Sequence, residues 1–344
     1  MGFFDAADVG IDLGTSSTLV YVQGKGIVLK EPSVVAVERV TGRIVAIGED
    51  ARKMMGRAPG NVTVIRPLRD GVISNFDVTA RMLRYFFKKV VGARLFKPRV
   101  VVCVPSGVTE AEKRCFIEAT LEAGARYTYL IEEPLAAAIG AGVDIFDGKG
   151  HMVADIGGGT TDLAVISFGS IVPSDSVKMA GDKLDEALMR YMKRKHELYI
   201  GERSAEDIKI SYGRAHADAS QRVVEIRGRS AVSGLPESVP MGTNELADAL
   251  NEPLMAILER VRELFDRTPP ELATDIRETG IVLTGGGALL PGLDAFLTER
   301  TGVPCKAAED PVSCVAKGTG AVLEDLSAYN GAIYDYRRGE YYED

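Results

Sequence analysis

The feature that most restricts how this chain can fold occurs twice. Asp12-Leu13-Gly14-Thr15-Ser16-Ser17 and Asp155-Ile156-Gly157-Gly158-Gly159-Thr160-Thr161-Asp162 each set an aspartate at the end of an apolar run, then a glycine-bearing, hydroxyl-rich turn, then a second apolar run. Glycine lets successive backbone N–H groups point into one concavity with no Cβ in the way, and such a concavity binds anions. One Gly-Gly-Gly alone is equally well a tight hairpin. Two copies, each with an aspartate just ahead of the glycine, favour phosphate. A carboxylate beside a phosphate is costly unless a cation lies between them, so Asp12 and Asp155 are expected to hold Mg²⁺ through water. A repeated unit implies two structural halves, here expected to face each other across a cleft.

Periodicity along the rest of the chain agrees with a duplication. The opening reads as a meander of strands, VGIDL, STLVYV, GIVLK, SVVAVE and RIVAIG. A helix is expected from Asp77, with Val78, Met82, Leu83, Phe86, Phe87 and Val90 on one face and Gly92 as its stop. The strand PRVVVCVP, a helix from about Thr109 to Ala123, a short strand Tyr129 to Ile131 and a small-residue helix, PLAAAIGAG, follow. The order begins again at His151 with three strands, then a helix Lys183 to Glu197. A polar stretch runs to about Thr243, followed by a helix Asn244 to Phe265 with an expected kink at Pro253. The strand GIVLTGG and a closing helix around Ala316 to Leu326 complete the pattern.

Composition excludes several classes. The 344 residues, 46% hydrophobic with 37 glycines, suffice for two domains with real cores. The net charge of −8 offers no overall basic field, so nucleic acid is not an expected partner. Cys103, Cys115, Cys305 and Cys314 match no zinc spacing and read as reduced core thiols, and His151, His196 and His216 are scattered. The start MGFFDAADVG has neither the basic opening nor the apolar stretch of a signal peptide, and no run approaches the length of a membrane span. A cytoplasmic location is expected.

A third glycine cluster, Leu283-Thr284-Gly285-Gly286-Gly287-Ala288-Leu289-Leu290-Pro291-Gly292, follows an apolar run. Bare backbone at a strand end permits close approach of a flat ligand such as adenine or its ribose. Taken with the two phosphate turns, it completes a nucleotide cradle. Neither GxxxxGK[ST] nor a helix-opening GxGxxG with a downstream acid occurs.

In order, the DxGT turn, Val104-Pro105-Ser106, EEPLAAAIG (Glu132 to Gly140), DIGGGTTD and LTGGGALLPGL resemble the actin, Hsp70 and sugar-kinase superfamily. GIVLKEPSVVA, IRPLRDGVISNFD and the EEPLAAAIGAG and LTGGGALLPGL runs resemble more closely the MreB family of bacterial actins, over about residues 8 to 325. The resemblance implies an α/β, actin-like fold in which two RNase-H-like α/β domains flank a nucleotide cleft, each with a smaller inserted subdomain. Its borders would be subdomain IA at 1–32, 69–146 and 313–330, IB at 33–68, IIA at 147–180 and 245–312, and IIB at 181–244. Residues 331–344, with five tyrosines from Tyr329 onward, would be a mobile, polar extension.

The resemblance also implies a chemistry: binding of ATP or ADP with Mg²⁺, and hydrolysis of ATP coupled to filament assembly. Glu133 would be the water-positioning acid, with Glu132 as the alternative, and Thr160 would help hold that water. As a bare residue, Glu133 also reads as a carboxylate at a helix N-terminus. Thr15, Ser16, Ser17, Gly157, Gly158 and Gly159 would hold phosphates. Glu206, Asp207, Ile208 and Lys209, in SAEDIKISYG, would meet ribose and adenine, and Gly285, Gly286, Gly287 and Ala288 would border the base. The lysine that actin carries after its first turn is missing, since Ser16, Ser17 and Thr18 stand there, which leaves more charge neutralisation to Mg²⁺. The partners implied are further copies of the chain in paired protofilaments, proteins of the cell-elongation complex and the inner face of the cytoplasmic membrane. Leu95 and Phe96, on an expected loop among Lys88, Lys89, Arg94, Lys97 and Arg99, would insert into that membrane, with Phe3 and Phe4 assisting, the alternative being a loop folded back to bury them. A small-molecule kinase of the same fold is the competing reading. A chaperone is disfavoured because no peptide-binding domain follows.

Overall fold

Two sheets with the same strand order carry the two copies of the glycine turn. The computed structural model describes residues 8–92, 97–217, 221–335 and 340–341. In the first half Gly26–Pro32, Ser17–Val22, Val9–Leu13, Arg99–Val104 and Tyr127–Glu132 lie side by side in that order. In the second half Ser170–Val177, Thr161–Ser167, His151–Ile156, Ile281–Thr284 and Cys305–Ala307 do the same. Each set pairs antiparallel twice and then parallel twice. The duplication therefore extends from the turn to the whole sheet.

The central strands are apolar along their length because both sheet faces are covered. Val100 to Val104 are all buried, as are Met152 to Ile156. The helix Phe76–Val91 starts where Asn75 Oδ1 accepts from Val78 N–H and stops at Gly92, whose φ of 68° ends the spiral. Its buried residues include Met82, Leu83, Phe86 and Phe87. Helix Glu110–Ala123 opens on a full capping box between Thr109 and Glu112. Helices Glu133–Gly140 and Cys314–Glu324 share one core cluster with residues of both sheets, among them Val101 and Cys103 from the first and Val153 and Ala164 from the second.

Each half carries an insertion. The first contains a three-stranded sheet of Ile44–Ile47, Val35–Glu38 and Val62–Ile65 with the short helix Glu49–Lys53. The second contains helices Gly181–His196 and Glu202–Tyr212 and a sheet of Leu198–Tyr199, Val223–Ser230 and Pro236–Gly242. The stretch expected to be merely polar up to Thr243 thus holds a helix and a hairpin. Along Val223–Ser230 only Ile226 and Ser230 are buried, and along Pro236–Gly242 only Met241, so the alternation that announces a strand is nearly absent. Helix Thr243–Arg267 runs through Pro253 as one element, and two short helices, Pro270–Thr279 and Leu293–Thr301, stand beyond the expected elements.

The mobile extension expected from residue 331 is corrected as far as Asp335. Ile333–Asp335 pairs antiparallel with Tyr127–Glu132 and extends the first sheet, and Glu340–Tyr341 pairs in turn with Tyr334 and Asp335. Ile333 is buried there and holds the strand down, against the polar composition of its neighbours.

Candidate functional site

The two turns are built alike and meet tip to tip. Gly14 N–H donates to Ser17 O at 3.2 Å, and Gly157 N–H donates to Thr160 O at 2.9 Å, so each closes the same four-residue loop. None of Gly157, Gly158 and Gly159 has a positive φ. Their missing Cβ atoms serve close approach instead: one on Gly158 would lie 2.0 Å from Ser16 Oγ, and one on Gly159 2.5 Å from Thr15 Oγ1. The second turn is therefore all glycine where the first carries hydroxyls. Gly71, at φ 77°, joins them from the small hairpin after the first insertion, its N–H donating to Thr15 Oγ1 at 3.0 Å.

Around these tips lies a cavity of about 340 Å³. Asp12, Thr15, Ser16 and Ser17 line it from the first half, and Asp155, Gly157, Gly158, Gly159 and Thr160 from the second. Glu133 enters as the first residue of its helix. Gly181 contributes the N-terminus of helix Gly181–His196, tied to the glycine turn by Gly181 N–H to Gly157 O and Asp182 N–H to Gly158 O. Those bonds take up the first N–H groups of the helix, and what its N-terminus still offers an anion is the positive end of the helix dipole.

The far end of the cavity comes from the second insertion and the third glycine cluster. Glu206, Lys209 and Ile210 share one helix face and line the wall, opposite Gly285, Gly286, Gly287 and Leu289. A Cβ on Gly285 would lie 2.4 Å from Ile156 O and one on Gly287 2.2 Å from Ile156 Cγ2, whereas Gly286 has open space before it. Lys209 Nζ donates to Gly181 O and to Asp185 Oδ2, both at 2.9 Å, and Glu206 pairs with Arg52 of the first insertion at 3.2 Å.

Three expected contacts are corrected. Asp207 does not line the cavity; it lies on the solvent side of its helix and pairs with Arg203. Ile208 packs against the second half's core, and Ala288 is buried in that core behind Gly286 and Gly287. A helix presents only residues three or four apart on one face, so the contiguous run 206–209 cannot all meet the cavity. Reading the helical period through 206, 209 and 210 would have found Ile210. Leu95 and Phe96 lie outside the described residues. Of their basic neighbours, Lys89 is paired with Glu31 at 2.5 Å and Arg99 Nε with Asp8 Oδ2 at 2.9 Å.

The electrostatics of the cavity are dominated by buried acids. Burial, then the facing Asp155 charge, pushes the Asp12 carboxyl up to about 7, against a weak hydrogen bond from Cys103. Burial pushes Asp155 up to about 6, opposed by the hydrogen bond from Thr284 Oγ1 at 2.7 Å. Glu133 is raised well above the carboxylate range by burial, then by Asp162, Asp155 and Asp12. Among the described residues no group of three or more side chains could ligate an ion directly. Two facing carboxylates in a polar cavity fit an ion that keeps most of its water, as Mg²⁺ does, and such an ion would offset the charge they crowd together.

A paired-sheet α/β fold with an insertion in each half and one cleft between two phosphate-type turns defines the actin-like class. The MreB/Mbl protein family model matches residues 6–331. The chain is 51% identical over 322 residues to the cell shape-determining protein Mbl of Bacillus subtilis, covering 93% of this chain and 97% of that protein. It is 48% identical over 333 residues to the cell shape-determining protein MreB of Escherichia coli, covering 95% and 96%. The structure of MreB5 of Spiroplasma citri bound to ADP superposes with a TM-score of 0.90 at 37% identity, covering 93% of this chain and 97% of that one. The chain belongs to the MreB/Mbl family.

Proposed function

We propose that this chain binds ATP and ADP with Mg²⁺ in the cleft, hydrolyses ATP, and assembles into filaments that direct cell shape and lateral wall growth along the membrane. The observation that carries this reading is the meeting of two equivalent turns over one cavity, with Glu133 at its inner end. The cell shape-determining role in the names of the Bacillus and Escherichia relatives and the ADP of the Spiroplasma structure support it.

In this reading the backbone N–H groups and hydroxyls of Thr15, Ser16 and Ser17 grip the phosphates from one side, and Gly157, Gly158 and Gly159 from the other. Asp12 and Asp155 hold the water shell of Mg²⁺, which when bound offsets charge on the phosphate oxygens. Glu206 and Lys209 meet the ribose and base, and Gly286 lets the base approach. Glu133 accepts a hydrogen bond from the attacking water and aims it, assisted by the Thr160 hydroxyl. Phosphoryl transfer needs little more from a protein than positioning and charge stabilisation.

Sedimentation with Mg-ATP tests this against the kinase of the same fold. The filament protein pellets and releases phosphate with no second substrate; a kinase stays in the supernatant and consumes ATP only with its acceptor present.

Attachment to the inner face of the membrane is part of the proposal, through Leu95 and Phe96. No helix among the described residues is long and apolar enough to cross a bilayer. Each inserted apolar side chain would contribute roughly 1.5 to 3 kcal/mol, so a single subunit binds weakly and a filament presenting many copies of Leu95 and Phe96 binds firmly. Replacing Leu95 and Phe96 together with Ser should abolish co-sedimentation of the polymer with anionic liposomes. Undiminished binding by the double variant overturns the anchor. Proteins of the cell-elongation complex are the further partners proposed.

A further inference from the structure

Ser106, from the motif Val104-Pro105-Ser106, takes part in neither the phosphate turns nor the cavity wall. It is 4% exposed, and both of its donors are directed at carboxylates. Its Oγ donates to Glu132 Oε2 at 2.6 Å, and its N–H donates to Asp162 Oδ1 at 2.9 Å. These two acids flank Glu133 from opposite halves of the molecule. Glu132 is the N-cap residue of helix Glu133–Gly140, yet its carboxylate caps no backbone N–H and is drawn to Ser106 instead. Asp162 starts in the register position facing Asp155 on the neighbouring strand and is fully buried. The Thr160 and Ser176 side chains also bear on its carboxylate, and its charge adds to burial in raising the Glu133 carboxyl.

We propose that Ser106 is a positioning residue for Glu133, its hydroxyl fixing the residue before Glu133 from the first half and its N–H fixing the carboxylate beside Glu133 from the second. The inference rests on Glu133 being the water-orienting acid. A helix that begins at the catalytic residue has its aim set by its first turn, and the cap residue is where that turn joins the strand Tyr127–Glu132. With the hydroxyl removed, Glu132 is free to swing, and the first turn of the helix with it. The charge-assisted bond at 2.6 Å is of the short, strong kind. Ser106 touches neither phosphate turn by any of these bonds, so its effect falls on the reacting step and spares nucleotide binding.

The test measures nucleotide affinity and single-turnover phosphate release for the wild type, Ser106→Ala, Glu132→Ala, the double variant and Glu133→Ala. Ser106→Ala should slow hydrolysis roughly tenfold while affinity stays within about twofold, since misplacing a reacting group by an ångström costs up to about 10² in rate. Glu132→Ala should have a similar effect, and the double variant should be no slower than either, because the two groups act through one bond. Additive losses in the double variant overturn the proposal, as does a Ser106→Ala variant whose affinity and melting temperature fall together with its rate. Wild-type hydrolysis by Ser106→Ala beside a slow Glu133→Ala overturns the Ser106 role and leaves the Glu133 reading standing. Wild-type hydrolysis by Glu133→Ala removes both.

Discussion

Gly158 and Ser16 show how the two halves divide the work of one site. The hydroxyl of one turn occupies the space that a side chain on the other would need, so the proposed phosphate grip depends on both turns together. The same proximity forces acids together. In the protein free of metal and nucleotide, Asp155 is held at about 6 and Asp12 at about 7, above the ordinary carboxylate value of about 3.9. Asp162, pushed by burial to about 7, and Asp185, pushed by burial to about 6, act in the same sense. The folded protein therefore keeps protons that the unfolded chain has lost. The stability from this source is full below about pH 4 and is lost as pH rises through 6 to 7. Carboxylates held low by partners, such as Asp310 with Lys317, are already ionised above pH 5 and do not oppose the trend there. The melting temperature of the ligand-free protein should fall between pH 5 and pH 8, and Mg-ADP should flatten the fall. Scanning calorimetry at both pH values checks this, and a flat or rising melting temperature without ligand contradicts it.

At the scale of elements, helices Glu133–Gly140 and Cys314–Glu324 cross between the sheets at backbone contact. A Cβ on Gly318 would lie 1.9 Å from Ala136 O, and one on Gly140 1.8 Å from Cys314 O. Neither glycine has a positive φ, so both are required by proximity alone. Gly318→Ala should destabilise the protein by roughly 1 to 3 kcal/mol through overpacking. Gly331→Ala, which meets nothing within 4 Å, is the matched control. Thermal unfolding of both variants decides it, and equal melting temperatures contradict the close crossing. What the sequence made legible at this scale depended on burial. Strands buried on both faces and the amphipathic helix Phe76–Val91 announced themselves by apolar runs and period. The hairpin Val223–Gly242 sends few apolar side chains inward, and the strand Ile333–Asp335 is only three residues long, so neither left a pattern to read. The site was legible at its turns, where residue type and spacing repeat. It was not legible at Ile210, which only the helical face brings to the cavity, or at Asp162 and Ser106, whose roles arise from residues far apart in sequence.

Across the whole molecule, the halves are joined at the turn tips, where helix Glu133–Gly140 of the first half packs against Val153, Ala164 and Ile166 of the second, and, among the described residues, by two ion pairs between the insertions, Arg66 with Asp182 at 3.1 Å and Arg52 with Glu206 at 3.2 Å. Glu206 belongs both to such a bridge and to the cavity wall, so what occupies the cleft bears on how the insertions meet. The most direct test of the account follows light scattering and phosphate release together in one sample, for wild type and Glu133→Ala with Mg-ATP. The wild type should assemble and release phosphate. The variant should bind ATP and assemble, then persist as polymer while phosphate release is slowed by roughly 10² to 10⁴, the usual worth of a positioned base. Phosphate release by Glu133→Ala at the wild-type rate, or wild-type protein that hydrolyses ATP without assembling, would contradict it.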